Sequence, residues 1–127
     1  MSDTQLVITQ LFQEGRGARI NGDYDRAVAL LQRAINENPN YAEAHMELGL
    51  ALCFNGLFDE SLRELELAAG LDRANPEIHL NLAKTYTMLG MYPEGAASFQ
   101  AVLSLTPAGD KFHDEASKQL SYFQGML

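Results

Sequence analysis

A chain of 127 residues with 17 acidic against nine basic side chains, net charge −8, is long enough for one domain with its own core and too acidic to offer the phosphate-binding face a nucleic acid needs. Its single cysteine, Cys53, can close no disulfide within the chain, so the fold stands on packing and suits a reducing compartment. No run reaches the ~18 consecutive apolar residues of a membrane span, and residues 1–13 lack a basic start followed by a long apolar stretch, so a cytoplasmic protein without a secretory leader is expected.

Ser2-x-x-Gln5 is a capping pattern that opens a first helix near Asp3, with Leu6 and Val7 on it. Asn21-Gly22-Asp23 closes that helix, because glycine takes a positive φ at little cost. A second helix runs to Pro39, which cannot continue it. Asn40-x-x-Glu43 resembles a cap with its reciprocal acid and opens a third helix that reaches Phe54, before the turn Asn55-Gly56-Leu57. A fourth helix follows, and Asn75-Pro76 places a cap before a first-turn proline for the fifth. The turn Leu89-Gly90-Met91 leads into a sixth helix with Pro93 in its first turn and Pro107 at its end. Residues 110–127 read as a solitary seventh helix: Phe112, Ala116, Leu120, Phe123 and Leu127 form an apolar stripe, with Asp114, Glu115, Lys118 and Gln119 off it. No segment alternates with the period of a strand.

These elements repeat. Gly22, Gly56 and Gly90 recur every 34 residues, each followed two positions later by Tyr24, Phe58 or Tyr92. The same register carries small residues at Ala27, Ser61 and Gly95 and at Gly15, Gly49 and Ala83. It carries large apolar ones at Leu31, Leu65 and Phe99 and a third apolar set at Ala34, Ala68 and Val102. Small residues let two helices of a pair approach closely, and the large ones fill the space beside them.

The register resembles that of the tetratricopeptide repeat family, a 34-residue helix–turn–helix. Leu48-Gly49, Tyr86, Ala27, Phe99, Pro39 and Pro107 match its pattern; its Trp is missing, with Leu11, His45 and His79 in that slot, Glu14 replaces a Leu and Arg73 a Pro. The resemblance implies an all-α, right-handed solenoid of three repeats, residues 8–41, 42–75 and 76–109, closed by a capping helix at 110–127, all in a single domain 1–127.

Catalytic or metal chemistry finds little support. His45, His79 and His113 are spaced by 34 residues, which invites a metal site. Equivalent helices of a solenoid lie ~8–10 Å apart, however, while zinc ligands sit about 2 Å from their ion. The histidines are better read as occupants of the half-buried Trp slot. Cys53 has no histidine beside it, no phosphate loop or H-E-x-x-H pattern occurs, and Gly15-Arg16-Gly17 lies inside a helix. No cofactor, metal or catalytic residue is expected.

The resemblance implies a binding groove lined by positions 2, 5, 9, 12 and 13 of each repeat's first helix. Those are Thr9, Glu43 and Glu77; Phe12, Met46 and Leu80; Arg16, Leu50 and Lys84; Arg19, Cys53 and Thr87; and Ile20, Phe54 and Met88. The third helix supports this independently: Ala44, Leu48, Ala51 and Leu52 form one apolar stripe and Met46, Leu50, Cys53 and Phe54 a second, where a surface helix needs only one. Some family members grip a terminal carboxylate with lysines and asparagines. Here Phe12 and Leu80 stand in place of lysines, Leu50 in place of an Asn, and Lys84 alone fits. The expected ligand is therefore an apolar peptide or helix of a partner protein, held by Phe12, Ile20, Met46, Leu50, Phe54, Leu80 and Met88, with secondary attraction from Arg16, Arg19 and Lys84. The acidic face with Asp59, Glu60 and Glu64 is the other candidate surface. An adaptor scaffold and a holdase-type chaperone both suit such a groove. A metal-binding or enzymatic protein is the third reading, and the open ends of a solenoid leave self-association open.

Overall fold

The computed structural model describes residues 2–123. It holds seven helices, α1 Asp3–Ile20, α2 Tyr24–Glu37, α3 Ala42–Phe54, α4 Phe58–Leu71, α5 Pro76–Met88, α6 Tyr92–Leu105 and α7 Lys111–Ser121, with no strand among the described residues. They form two compact units, Met1–Leu71 with α1 to α4 and Asp72–Leu127 with α5 to α7.

In the first unit α1 pairs with α2, α3 with α4, and α2 with α3. The pairs close on the small residues that recur in the sequence. A Cβ on Gly15 would lie 2.7 Å from Leu31 Cγ, and one on Gly49 would lie 2.8 Å from Leu65 Cγ. Leu31 and Leu65 are fully buried, so neither can yield. Ser61 adds a bond that alanine could not, donating its hydroxyl to Gly49 O at 2.6 Å. Ala27, Ala34, Ala44 and Ala51 complete the close contacts, all without exposed surface.

The turns are built alike in both units. Gly22, Gly56 and Gly90 have φ of 83°, 82° and 78°. The residue after each, Asp23, Leu57 or Met91, donates its N–H back to Ala18 O, Leu52 O or Tyr86 O at 2.8–2.9 Å, which satisfies carbonyls that the helix end leaves open.

The expected cap at Asn40 is not formed. Tyr41 is the residue that precedes α3, and it makes no side-chain cap bond. Asn38 organises the loop instead: its Oδ1 accepts from Asn40 N at 3.2 Å and its carbonyl accepts from Tyr41 N at 3.2 Å. The other caps form as expected. Ser2 and Gln5 make the reciprocal box on α1, and Asn75 Oδ1 accepts from Glu77 N and Ile78 N on α5.

In the second unit α5 pairs with α6, and α7 packs on both. Phe99, Val102, Ala83 and Ala116 have no exposed surface. Asp110 caps α7 through Phe112 N and His113 N, at 2.8 and 3.3 Å. The expected stripe of α7 faces this core. Ala116 and Phe123 are buried, Phe112 and Leu120 half-buried, and the Phe123 ring lies 6.0 Å from Phe99 and 5.9 Å from Tyr92. Leu127, the last position of that stripe, lies outside the described residues.

Candidate functional site

In the first unit α1 also touches α3, which places the candidate residues of the first two repeats on neighbouring helices. Ile20 and Phe54, at their carboxyl ends, are 63% and 59% exposed. Leu50 is half-buried one turn before Phe54. The Phe54 ring stacks on Tyr24, 5.4 Å between centroids at 16°, which fixes its orientation while leaving its outer face in water.

Phe12 and Met46 do not reach that surface. Phe12 is buried in the core and packs against the Tyr41 ring at 5.0 Å, and Met46 is buried too. The expectation that they contact a ligand gives way to a supporting role beneath the surface. Periodicity shows that a side chain is apolar, and it does not show which neighbour covers it.

Arg16 and Arg19 both turn to one carboxylate, that of Glu47 on α3. Arg19 Nε hydrogen-bonds Glu47 Oε2, Arg19 Nη2 donates to Oε1 at 3.4 Å, and Arg16 Nε lies 3.7 Å from Oε1. Glu47 is 2% exposed, and in the described structure its charge is met by these arginines. The repeat register alone does not single it out. A usable signal existed: Glu47 sits between buried Met46 and Leu48 on a helix that is apolar on two sides, and the two arginines occur three residues apart on the preceding first helix.

In the second unit α5 carries the corresponding residues. Leu80 is buried with Ala83 and Phe99, so it too belongs to the core and not to a surface. Met88 is 53% exposed. Lys84 Nζ is 3.0 Å from Glu115 Oε1 on α7. All three candidate cations thus have an internal carboxylate partner.

The histidines serve the backbone. His45 Nε2 lies 2.7 Å from Pro39 O, His79 Nε2 2.8 Å from Arg73 O and His113 Nδ1 2.9 Å from Thr106 O. Each ties the start of its helix to the loop before it. Among the described residues no three of His, Cys, Asp and Glu gather as a metal ion would require. Cys53 is half-buried and burial pushes its thiol up, away from the thiolate a nucleophile needs. No helix among the described residues is long and apolar enough to cross a membrane.

Residues 18–69 match the family model for the tetratricopeptide repeat. No curated protein matches the chain in sequence. Solved structures share its fold. PcrH in complex with the chaperone binding region of PopD is 21% identical with a TM-score of 0.87, over 99% of this chain and 96% of that one. The Yersinia enterocolitica type III secretion chaperone SycD, in complex with a peptide of the translocator YopD, is 18% identical with a TM-score of 0.86, over 99% and 96%. The first such repeat domain of Spaghetti (RPAP3), bound to the HSP90 peptide SRMEEVD, is 19% identical with a TM-score of 0.86, over 98% and 94%.

Proposed function

We propose that this chain, whose residues 18–69 match the family model for the tetratricopeptide repeat, is a non-catalytic adaptor scaffold that holds an apolar peptide or helix of a partner protein. The observation that carries this reading is the apolar ground left in water at the ends of α1 and α3. Phe54 stacks on Tyr24 there, Leu50 lies one helical turn before Phe54, and Ile20 is exposed at the end of α1, which touches α3. Single exposed apolar residues are ordinary, but adjoining ones mark binding. On α5 Met88 offers exposed apolar surface. The similar structures of PcrH, SycD and Spaghetti each hold a peptide, which supports the same use here.

Magnitudes favour apolar anchors over charge. Burying one such side chain is worth ~1.5–3 kcal/mol, while an exposed ion pair is worth ~0–1 kcal/mol, and the cations here are already paired. Binding should therefore weaken little in salt. The acidic balance of the chain and its single cysteine, which can close no disulfide within the chain, fit a protein partner, not a nucleic acid, in a cytoplasmic setting.

The test is an array of apolar and amphipathic 15-residue peptides, probed with wild type and with Phe54→Asp. Selected peptides should bind wild type and lose at least tenfold in affinity to the variant, with helical content unchanged. Equal binding by both proteins overturns the reading. A holdase is the second reading, favoured by the likeness to the secretion chaperone SycD. It would suppress aggregation of heat-unfolded citrate synthase regardless of sequence, whereas an adaptor would not.

A further inference from the structure

We infer that Glu47 sets the charge preference of the α1–α3 face, acting as a built-in carboxylate that occupies Arg16 and Arg19 and so turns away acidic ligand segments. The inference rests on the proposed peptide-binding role and names the class of peptide that fits: one with neither acidic side chains nor a free terminal carboxylate where it crosses these arginines.

The geometry carries the argument. A guanidinium recognises a carboxylate through paired N–H donors. In Arg19 one such pair, Nε and Nη2, is spent on the two oxygens of Glu47. Arg16 Nε lies 3.7 Å from the same Oε1. Glu47 is almost wholly buried while the Arg16 side chain is about half exposed, so the acid belongs to the protein interior and the arginines to its edge. A ligand carboxylate arriving there meets an Arg19 with one edge already engaged and a buried negative charge behind it. Without Glu47, two guanidinium groups one helical turn apart, on a face that also carries Leu50 and Phe54, would form an acid-binding site. One residue thus separates a face for neutral apolar segments from a face for acidic ones.

The experiment uses the full chain and one probe, an N-acetylated pentapeptide of three glutamates and two alanines with a free terminal carboxylate. Binding is followed at low salt through the arginine Nε–Hε signals in a 1H–15N spectrum. Wild type should leave the Arg19 signal unmoved. Glu47→Gln should bind the probe about tenfold more tightly, as expected for removing a like charge at contact distance, and should lose that gain in 0.5 M salt. Should the glutamine variant fail to fold, Glu47→Met fills the same space without a charge and should show the same gain. Arg19→Met combined with Glu47→Met should abolish it. The inference falls if the probe binds wild type as tightly as the Glu47 variants, or if those variants gain nothing. The peptide-array comparison with Phe54→Asp can fail separately, because the arginine signals answer the acidic probe whether or not an apolar segment is held at Leu50 and Phe54.

Discussion

His45 Nδ1 lies 2.7 Å from Glu64 Oε2, joining the start of α3 to the middle of α4. The other ring nitrogen faces Pro39 O. Both partners are acceptors, so only the doubly protonated ring satisfies both. The hydrogen bond to Glu64 accordingly raises the His45 pKa above its ordinary 6.5, against the opposing effect of burial and with help from the Pro39 carbonyl.

The sign of the pH dependence follows. A raised folded-state pKa means that this contribution is complete below pH 6.5 and is lost as pH rises through the higher, folded value. Urea midpoints of wild type and His45→Gln should differ most near pH 6, by about 1–2 kcal/mol, and converge as the solution becomes alkaline. A gap that widens with pH would show that the ring is neutral in the fold.

Two glycines of α1 should respond oppositely to alanine. Gly17 has nothing within 4 Å of an added Cβ, so Gly17→Ala should stabilise by about 0.5–1 kcal/mol through the gain in helix propensity. Gly15→Ala drives a methyl into buried Leu31 and should destabilise by ~1–3 kcal/mol. Ala27→Leu should cost a similar amount, since Ala27 has no exposed surface. Urea melts decide all three, and a stable Gly15→Ala would mean that α1 and α2 are not in close contact.

The two asparagines read as helix caps can be separated. Asn75→Ala should lose ~1 kcal/mol with the cap of α5. Asn40→Ala should change little, because only its backbone N–H is engaged, with Asn38. Equal losses at both positions would restore Asn40 as a cap.

Met46→Glu should unfold the first unit, because it places a charge in a side-chain position only 3% exposed. Phe54→Asp should retain the fold, losing the stacking on Tyr24, worth ~0.5–1.5 kcal/mol. Circular dichroism separates them, and it is this contrast that makes Phe54 the informative position for binding.

The elements were legible because the turn glycines, the small residues at close contacts and the stop prolines each answer a local steric demand that recurs every 34 residues. What was not legible depends on which surface covers a side chain. Phe12, Met46 and Leu80 carry the same apolar character as Ile20, Phe54 and Met88, yet the first three lie inside and the last three outside. Glu47 was hidden by a related ambiguity. A glutamate on a helix is ordinarily solvated, and only the arrival of Arg19 from α1 reveals that its burial is compensated.

The turn glycines have a stereochemical consequence. At Gly56, φ is +82° and the space outside the chain is empty, so an L-alanine there is opposed by torsion alone. Its mirror image is not: D-alanine prefers that same left-handed backbone and would restrict the unfolded chain where glycine leaves it free. A semisynthetic protein carrying D-alanine at Gly56 should be more stable than wild type by about 0.4–1 kcal/mol, and the L-isomer less stable by ~1–2 kcal/mol. At this turn the choice between a looser chain and a stiffer one is a matter of handedness, a choice that a ribosomally made chain meets most cheaply with glycine.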